Sequence, residues 1–430
     1  MVRGFRSACR LLESFADAAR RPAPAHGYPR EVSTSLRIRE MLVTPVACPD
    51  PPLLNHHGVH EPVFLRAIVR LRTEDGLEGL GEGPGGGLYV QQLRSAAKHV
   101  IGADAFHLEA LRVLVGEPRV FSTIEVALLD LIGKATGRSV TDLLGGPARR
   151  RVPFSAYLFY KEAGDDEWGR AVTPEELVRQ AERFSERFGM TVFKVKGGVL
   201  EPDAEIATVK LLRERFGARA KLRIDPNAAW SVETSIRVAE QLRATDLEYL
   251  EDPTDGIEGM SQVARHTPIP LSTNMCVTAF DHIPLAFRAR AVQVVLGDHH
   301  GWGGLTAFRH LGVMCKSLGW GLSQHSNSHL GISFAAMIHA GAAIPNLLYA
   351  SDTHYPWNDA SDVVCETSQF AFKDGCVQLW DAPGLGISID EDRLAAAAEA
   401  YTKRGSALAR DDVGAMRARN PEWLPHMPKW

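Results

Sequence analysis

The most constraining feature of this chain is a series of short β-like runs that each end in a polar residue and recur at a nearly constant interval. The runs, in order, are TVFKVK, KLRID, LEYLE, PLSTN, VQVVLGD, GLSQH and LLYASD. Counted from Lys196, the successive end residues are separated by 29, 26, 23, 24, 27 and 27 positions. Each interval is the length of one strand, one loop and one helix, so the series predicts repeated βα units.

In a (β/α)8 barrel the C-terminal ends of the parallel strands open at one mouth, which brings together side chains that lie far apart in sequence. The strand ends of this chain supply amines, carboxylates, an amide and an imidazole. Such oxygen groups can hold a divalent cation, and such nitrogen groups can act as bases beside it. We therefore predict an α/β barrel that carries out metal-assisted acid/base chemistry.

The composition is that of a globular enzyme with two domains. At 430 residues the chain exceeds the roughly 250 residues of a barrel and leaves room for a second domain. The net charge of −4 gives no reason to expect nucleic acid or a membrane surface as a partner. The six cysteines lie far apart without a C-x-x-C pair, as in proteins with reduced thiols. No long apolar run is present, so we expect a soluble cytoplasmic protein that acts on a small molecule.

The pattern along the chain predicts four segments. Residues 1–34 are rich in arginine and are expected to form a flexible extension. Residues 35–150 change from strand-like to helical runs and predict an α+β domain that caps the barrel. Residues 151–385 form the predicted barrel, and residues 386–430 return to the first domain.

Local signals place individual elements. EPVFLRAIVRLRTEDGLEGLGEG predicts a β-hairpin, and FSTIEVALLDLIGKATGRSVTDLLGG predicts a helix that ends at Gly145-Gly146. VPFSAYLFY is the predicted first barrel strand, and T-P-E-E from Thr173 starts the helix after it. The segment GEGPGGG at 81–87 lacks the Lys-Ser/Thr of a phosphate-binding loop and has no strong helix after it. We expect it to be a flexible loop over the barrel mouth.

Lys194 and Lys196 are candidate catalytic residues. In K-V-K on a strand, both side chains point to the same face. If that face is the barrel interior near a cation, the pKa of a lysine falls and it can serve as a base. Two surface lysines on an edge strand are the alternative.

Asp225, Glu251 and Asn274 end the third, fourth and fifth barrel strands and should be neighbours around the mouth. Oxygen ligands of this kind suit Mg²⁺. Each residue could instead cap the helix that follows it, but three in consecutive register favour a metal site. Asp252 and Glu258 could replace Glu251 as a ligand, although strand alternation turns Asp252 away.

Asp298 and His325 end the sixth and seventh strands and should also be neighbours. A carboxylate beside a histidine orients the ring and stabilises its protonated form, which suits a base that later acts as an acid. A buried structural pair is the alternative.

From about Met41 to Asp412 the chain resembles the enolase superfamily, and within it the glucarate dehydratase group. The segments that carry the resemblance are FKVKGGVL, IDPNAAW, EDP, TNM, HSNSH, DTH and ARDD, which occur in order at compatible spacing. The resemblance implies a (β/α)7β modified TIM barrel whose α+β N-terminal capping domain is completed by the C-terminal segment. It also implies Mg²⁺ as cofactor and a symmetric homo-oligomer.

The resemblance implies roles for individual residues. Lys196, with Lys194 beside it, would be the base on one face of the substrate, and His325 with Asp298 the base on the other. The implied Mg²⁺ ligands are Asp225, Glu251 and Asn274. The implied contacts to a sugar diacid come from Asn227, Ser326, Asn327, His354, Asn55, His60, Tyr157, Phe159 and Arg410.

The implied reaction is the dehydration of an aldarate by a carbon–oxygen lyase, with D-glucarate giving 5-dehydro-4-deoxy-D-glucarate. The chain departs from the group in a shorter segment between Gly87 and Glu125, which places Glu117 near the position of a substrate-binding threonine. An acidic residue there would repel a dianion unless it faces solvent. Dehydration or epimerisation of another sugar acid, or binding without catalysis, are the alternative functions.

Overall fold

The computed structural model describes residues 36–404, 410–425 and 428–430. The extension predicted for residues 1–34 lies outside the described residues. The N-terminal part is α+β, as expected. Its strands are β1 (Ile38–Pro49), β2 (Leu54–Asn55), β3 (Gly58–Val59), β4 (Val63–Thr73) and β5 (Glu78–Pro84). Its helices are α1 (Gly87–Val100), α2 (Leu108–Val115), α3 (Pro118–Thr136) and α4 (Val140–Leu143).

Strands β1, β4 and β5 form an antiparallel sheet, and the predicted hairpin is β4–β5. Helix α3 packs so closely on β5 that a Cβ at Gly79 would lie 2.1 Å from the Ala127 carbonyl oxygen, and one at Gly81 2.2 Å from that of Thr123. The expected flexible loop at 81–87 is therefore wrong. Residues 81–84 belong to a buried strand, and a helix of 14 residues begins at Gly87.

The helix predicted to reach Gly145-Gly146 ends earlier. Helix α3 stops at Thr136 because Gly137 adopts a left-handed conformation, with φ of 67°. A new helix, α4, then starts from a capping box made by Ser139 and Asp142. The sequence pattern missed this break because apolar residues continue at helical spacing on both sides of it.

A curved parallel sheet follows, with its strands side by side in chain order. The strands are β7 (Ala156–Phe159), β8 (Val192–Lys196), β9 (Lys221–Asp225), β10 (Tyr249–Glu251), β11 (Leu271–Thr273), β12 (Val294–Gly297) and β13 (Gly321–Gln324). An eighth segment closes the ring, because Leu347 pairs in parallel with Leu322 and Ser351 pairs in parallel with Phe154. The predicted (β/α)7β barrel is confirmed.

The predicted first strand is only partly in the barrel. Its start, β6 (Arg151–Pro153), leaves to pair with a strand near the C-terminus, and only β7 joins β8.

Helices connect the barrel strands on the outside. They are α5 (Pro174–Phe188), α6 (Pro202–Phe216), α7 (Val232–Leu242), α8 (Gly256–Ala264), α9 (Ile283–Ala289), α10 (His299–Trp302), α11 (Leu305–Leu318) and α12 (Gly331–Ala343). Helix α5 begins as the sequence predicts: Thr173 is the N-cap, Pro174 is the first helical residue, and Glu176 completes a capping box. Short 3₁₀ turns lie at Arg243–Thr245, Phe280–His282, Asp359–Ser361 and Thr367–Phe370.

The C-terminal segment returns to the N-terminal part. After α13 (Tyr355–Asn358), strands β14 (Phe372–Lys373) and β15 (Cys376–Gln378) form a small sheet with β6. Helix α14 (Glu391–Arg404) packs on β1, and Glu391 accepts two hydrogen bonds from Arg70 at 2.7 and 2.9 Å. Helix α15 (Asp412–Arg419) contacts β3. Among the helices of the described ranges, none combines the length and apolar character needed to cross a membrane.

Candidate active site

A cavity of about 730 Å³ opens at the C-terminal ends of the barrel strands. Lys196 and His325 line it from the barrel, whereas Asn55 and Arg410 line it from the N-terminal part and the C-terminal segment. This is the end of a barrel where active sites are found. The barrel and its cap therefore enclose one site between them.

The two lysines of β8 have different partners, although both face the barrel interior as the K-V-K spacing predicts. The Lys194 side chain is fully buried, and its Nζ lies 2.7 Å from Glu251 Oε1 and 2.6 Å from Asp352 Oδ2. Lys196 reaches the cavity, and its Nζ lies 2.8 Å from Asp225 Oδ2. Burial alone would lower the pKa of Lys194, but Asp352 and Glu251 outweigh it and hold that pKa well above its usual value.

The three predicted metal ligands lie side by side, at or just after the ends of β9, β10 and β11. Asp225 and Glu251 are fully buried. Glu251 Oε2, Asn274 Oδ1 and the neighbouring Asn227 Oδ1 are buried oxygens that accept no hydrogen bond from any described residue. A buried oxygen without a donor is costly unless another partner satisfies it. Carboxylate and amide oxygens gathered in this way fit a hard divalent cation.

The two alternative ligands are excluded by their positions. Asp252 faces away, as predicted, and accepts hydrogen bonds from Thr273 Oγ1 at 2.5 Å and from the Asn274 backbone N–H at 2.8 Å. Through the second of these hydrogen bonds, Asp252 fixes the backbone of Asn274. Glu258 is exposed on α8.

Asp298 and His325 form the predicted pair, with His325 Nδ1 3.1 Å from Asp298 Oδ2. A second imidazole, His300, lies 3.0 Å from Asp298 Oδ1 through its Nδ1. Burial alone would raise the pKa of Asp298, but hydrogen bonds and charge from His300 and His325 outweigh it and hold that pKa well below its usual value. His300 was not among the predicted site residues, although an imidazole two residues after a strand-end carboxylate is a signal that could have identified it.

Aromatic rings form one wall of the cavity. Tyr157 and Phe159 are alternate residues of the buried strand β7, and both line the cavity. The ring centroid of His354 lies 4.8 Å from that of Tyr157 and 5.2 Å from that of Phe159. His354 Nδ1 is 3.1 Å from Ser326 Oγ. Asn327 also lines the cavity, and its Nδ2 is 3.5 Å from Asp298 Oδ2.

Residues from the cap close the far side. Asn55 Nδ2 donates to Asp412 Oδ2 at 2.9 Å, and His60 Nδ1 is 3.1 Å from Asp50 Oδ2. Arg410 donates to both carboxylates, at 3.0 Å to Asp50 and 2.8 Å to Asp412. Asp50 and Asp412 were not among the predicted site residues, although both are partners of Arg410. Of the two, only Asp412 could have been predicted from the sequence, because it lies in the ARDD segment.

Glu117 lies at the cavity, as its sequence position suggested. It is the N-cap of α3, is exposed, and lines the cavity together with Arg119. Its side chain accepts a 3.4 Å hydrogen bond from the Arg119 backbone N–H. Glu117 thus has a structural role in addition to its place on the cavity wall.

A second cluster has the residue types of a metal site. One ligand atom each from Asp298, His299 and His300 lies within 4.8 Å of the others. However, Asp298 and His300 are hydrogen-bonded to one another, and the Arg66 guanidinium lies 3.2 Å from His300 Nε2. A cation next to a guanidinium is unfavourable, so this cluster fits a hydrogen-bonded network better than a metal.

Two family descriptions match the chain. Residues 38–145 match the mandelate racemase / muconate lactonizing enzyme N-terminal domain, and residues 176–393 match the enolase C-terminal domain-like family. A probable glucarate dehydratase from Streptomyces coelicolor is 45% identical over 93% of this chain and 100% of its own length. The chain therefore belongs to the enolase superfamily, and the predicted resemblance is confirmed.

Solved structures agree with this placement. An enolase from Thermobispora bispora, complexed with magnesium and formate, is 46% identical, with a TM-score of 0.88 over 92% of this chain and 100% of that one. An enolase from Pseudomonas fluorescens, with bound magnesium, potassium and tartrate, is 41% identical, with a TM-score of 0.89 over 93% and 100% of the two chains.

Proposed function

We propose that this protein is a Mg²⁺-dependent aldarate dehydratase that converts D-glucarate to 5-dehydro-4-deoxy-D-glucarate. It is a carbon–oxygen lyase of the hydro-lyase type. One observation carries the proposal: Lys196 and His325 line the same cavity, beside buried oxygens that lack a donor among the described residues. The similarity to a probable glucarate dehydratase supports the substrate class. Tartrate, found in the enolase from Pseudomonas fluorescens, is itself a hydroxy diacid.

Asp225, Glu251 and Asn274 would hold the Mg²⁺ ion. All three offer oxygen ligands, and two of these oxygens, Glu251 Oε2 and Asn274 Oδ1, accept no hydrogen bond from a described residue. Such oxygens fit a hard cation that keeps further positions for substrate oxygens. When bound, the ion supplies positive charge to the substrate carboxylate, which makes the α-proton more acidic.

The chain's own groups move the protons. Either Lys196 or His325 removes the α-proton, according to the configuration of the α-carbon. The β-hydroxyl then leaves with a proton from His325, and the resulting enol ketonises, so that one water is lost overall. Lys194 stays an ammonium, because Asp352 and Glu251 outweigh burial and hold its pKa well above the usual value. It therefore does not act as a base, and from its buried position it would stabilise the substrate carboxylate through its positive charge.

The cap would bind the other end of the substrate. Arg410 is the guanidinium that lines the cavity from the C-terminal segment, and Asn55 and His60 lie beside it. A guanidinium suits a carboxylate through paired hydrogen bonds. Asn227, Ser326, Asn327 and the rings of Tyr157, Phe159 and His354 would contact the hydroxyl-bearing middle of the diacid.

The proposal is tested by NMR of the purified protein with Mg²⁺ in D₂O against a panel of aldarates and aldonates. We expect loss of D-glucarate, a keto-deoxy product, and deuterium at the α-carbon of recovered substrate. Lys196→Ala combined with His325→Ala should abolish turnover while binding persists. Absence of both exchange and product with every acid sugar would contradict the proposed activity.

A dehydratase or epimerase of a different sugar acid is the second candidate. Glu117 favours this second candidate, because an exposed carboxylate on the cavity wall would repel the second carboxylate of a diacid substrate. Product from another sugar acid, or α-epimer without loss of water, would identify this alternative in the same NMR panel. The predicted homo-oligomer remains a prediction, which light scattering of the purified protein would test.

A further inference from the structure

The Asp298 carboxylate bridges two imidazoles, and the proposed reaction uses only one of them. Oδ2 of Asp298 lies 3.1 Å from Nδ1 of His325, the base. Oδ1 lies 3.0 Å from Nδ1 of His300 and also accepts the His300 backbone N–H at 2.9 Å. An ionised carboxylate only accepts hydrogen bonds, so both Nδ1 atoms must carry a proton. This tautomer leaves Nε2 of His325 as its basic nitrogen.

The other edge of the His300 ring is also held. Its Nε2 lies 3.0 Å from the Glu82 carbonyl oxygen, 3.1 Å from Ser333 Oγ and 3.2 Å from Arg66 Nη2. Arg66 is itself fixed by a buried ion pair with Glu82, at 2.6 Å. Because the ring is bound at both nitrogens, His300 holds Asp298 in one orientation.

We propose that His300 is a positioning residue for the base His325. It holds the Asp298 carboxylate so that His325 keeps its Nδ1–H tautomer and presents Nε2 to the α-proton. The inference rests on the proposed function and concerns one face of the substrate only. On the other face, Lys196 is hydrogen-bonded to Asp225, and it makes no hydrogen bond to His300 within the described part of the chain.

Two substitutions separate this role from a structural one. His300→Asn places an amide nitrogen near the position of Nδ1, so it retains the hydrogen bond to Asp298 and loses the contacts of Nε2. His300→Gln places an amide near the position of Nε2, so it retains the contacts with Glu82, Ser333 and Arg66 and loses the hydrogen bond to Asp298. His310→Asn, at an exposed position of α11, is the matched control.

The test measures α-deuterium exchange of D-glucarate and of its epimer at the α-carbon, with the full-length protein and Mg²⁺. Exchange is the readout because His325 also supplies the proton to the leaving hydroxyl, so dehydration depends on His325 for both epimers. His325→Asn first identifies which epimer reacts through His325. For that epimer we expect His300→Gln to slow α-deuterium exchange about 10- to 100-fold, a loss that reaches at most the lower limit of a general base contribution, and to leave the apparent KM nearly unchanged. His300→Asn should retain most of the rate, and exchange through Lys196 should be unaffected in both variants.

Three results would overturn the role of His300. They are equal losses of the α-deuterium exchange rate for both epimers, a larger loss of that rate in His300→Asn than in His300→Gln, and an unchanged exchange rate in His300→Gln. The first two would assign His300 to the packing of the cap on the barrel. Absence of exchange in the parent protein would instead contradict the proposed function, so the two failures are distinguishable.

Discussion

Replacing Lys194 with methionine tests whether a charged amine holds three carboxylates together beneath the cavity. Its Nζ lies 2.6 Å from Asp352, 2.7 Å from Glu251 and 3.3 Å from Asp225, and its side chain is fully buried. Methionine is flexible, unbranched and uncharged. The substitution therefore preserves most of the packing and removes the common partner of the three carboxylates.

The magnitude follows from which carboxylates keep another cation. Removal of one partner from a buried ion pair costs about 3–5 kcal/mol. Asp225 keeps Lys196 at 2.8 Å, and Asp352 keeps Arg223 at 3.6 Å. Glu251 has no second cation in an ion pair within the described ranges. Because most of the loss falls on one carboxylate, we expect the lower end of that range, about 3 kcal/mol.

The assay is urea unfolding followed by tryptophan fluorescence, in EDTA and with Mg²⁺. In EDTA, Lys194→Met should lower the free energy of unfolding by about 3 kcal/mol. The matched control Lys210→Met, at an exposed site of α6, should be neutral. Mg²⁺ at about 100 times its Kd should raise the free energy of unfolding of Lys194→Met itself by about 2.7 kcal/mol, because the cation binds the same oxygens in the folded variant. Parental stability of Lys194→Met in EDTA would refute the role of Lys194 in holding the carboxylates, and a variant that gains no stability from Mg²⁺ would contradict retention of the proposed metal site.

The remaining predictions concern the far end of the cavity, the Asp298 carboxylate and the packing of the cap. Arg410→Met should raise KM for aldarates about 10-fold or more but not for aldonates, which lack the second carboxylate; equal effects in steady-state kinetics would exclude Arg410 from that end. The pKa of Asp298 in the folded protein is well below its ordinary value of 3.8. The ionised carboxylate therefore stabilises the fold above about pH 3.8, and this contribution is lost as the pH falls from there towards the folded pKa. The stability difference between the parent and Asp298→Asn, measured by urea unfolding, should therefore shrink below about pH 4, and a constant difference from pH 7 to 3 would contradict this. Gly81→Val should abolish soluble expression, because its Cβ would lie 2.2 Å from the Thr123 carbonyl oxygen, whereas Gly301→Ala, which meets no described atom within 4 Å, should express normally.

The barrel and its mouth could be predicted because a βα unit has a nearly constant length. The seven strand-end positions were therefore visible as a period, and Thr173 marked a helix start through its own neighbours. The Gly-rich segment was misread for the opposite reason. A glycine is needed at position 81 because helix α3 packs too closely for a Cβ there. The residues of the segment itself do not indicate that a helix packs against it.

The sequence by itself determined the residue types at the strand ends and, through strand alternation, that Lys194 and Lys196 share a face. Only the tertiary structure decided what each lysine does, because the partners of Lys194 are 57 and 158 residues away, at Glu251 and Asp352. In the same way, it placed Asp298 between two imidazoles and Arg410 between two carboxylates. Local conformation depends on sterics and hydrogen bonds over a few residues. Charge state and catalytic role depend on distances across the barrel, which packing alone sets.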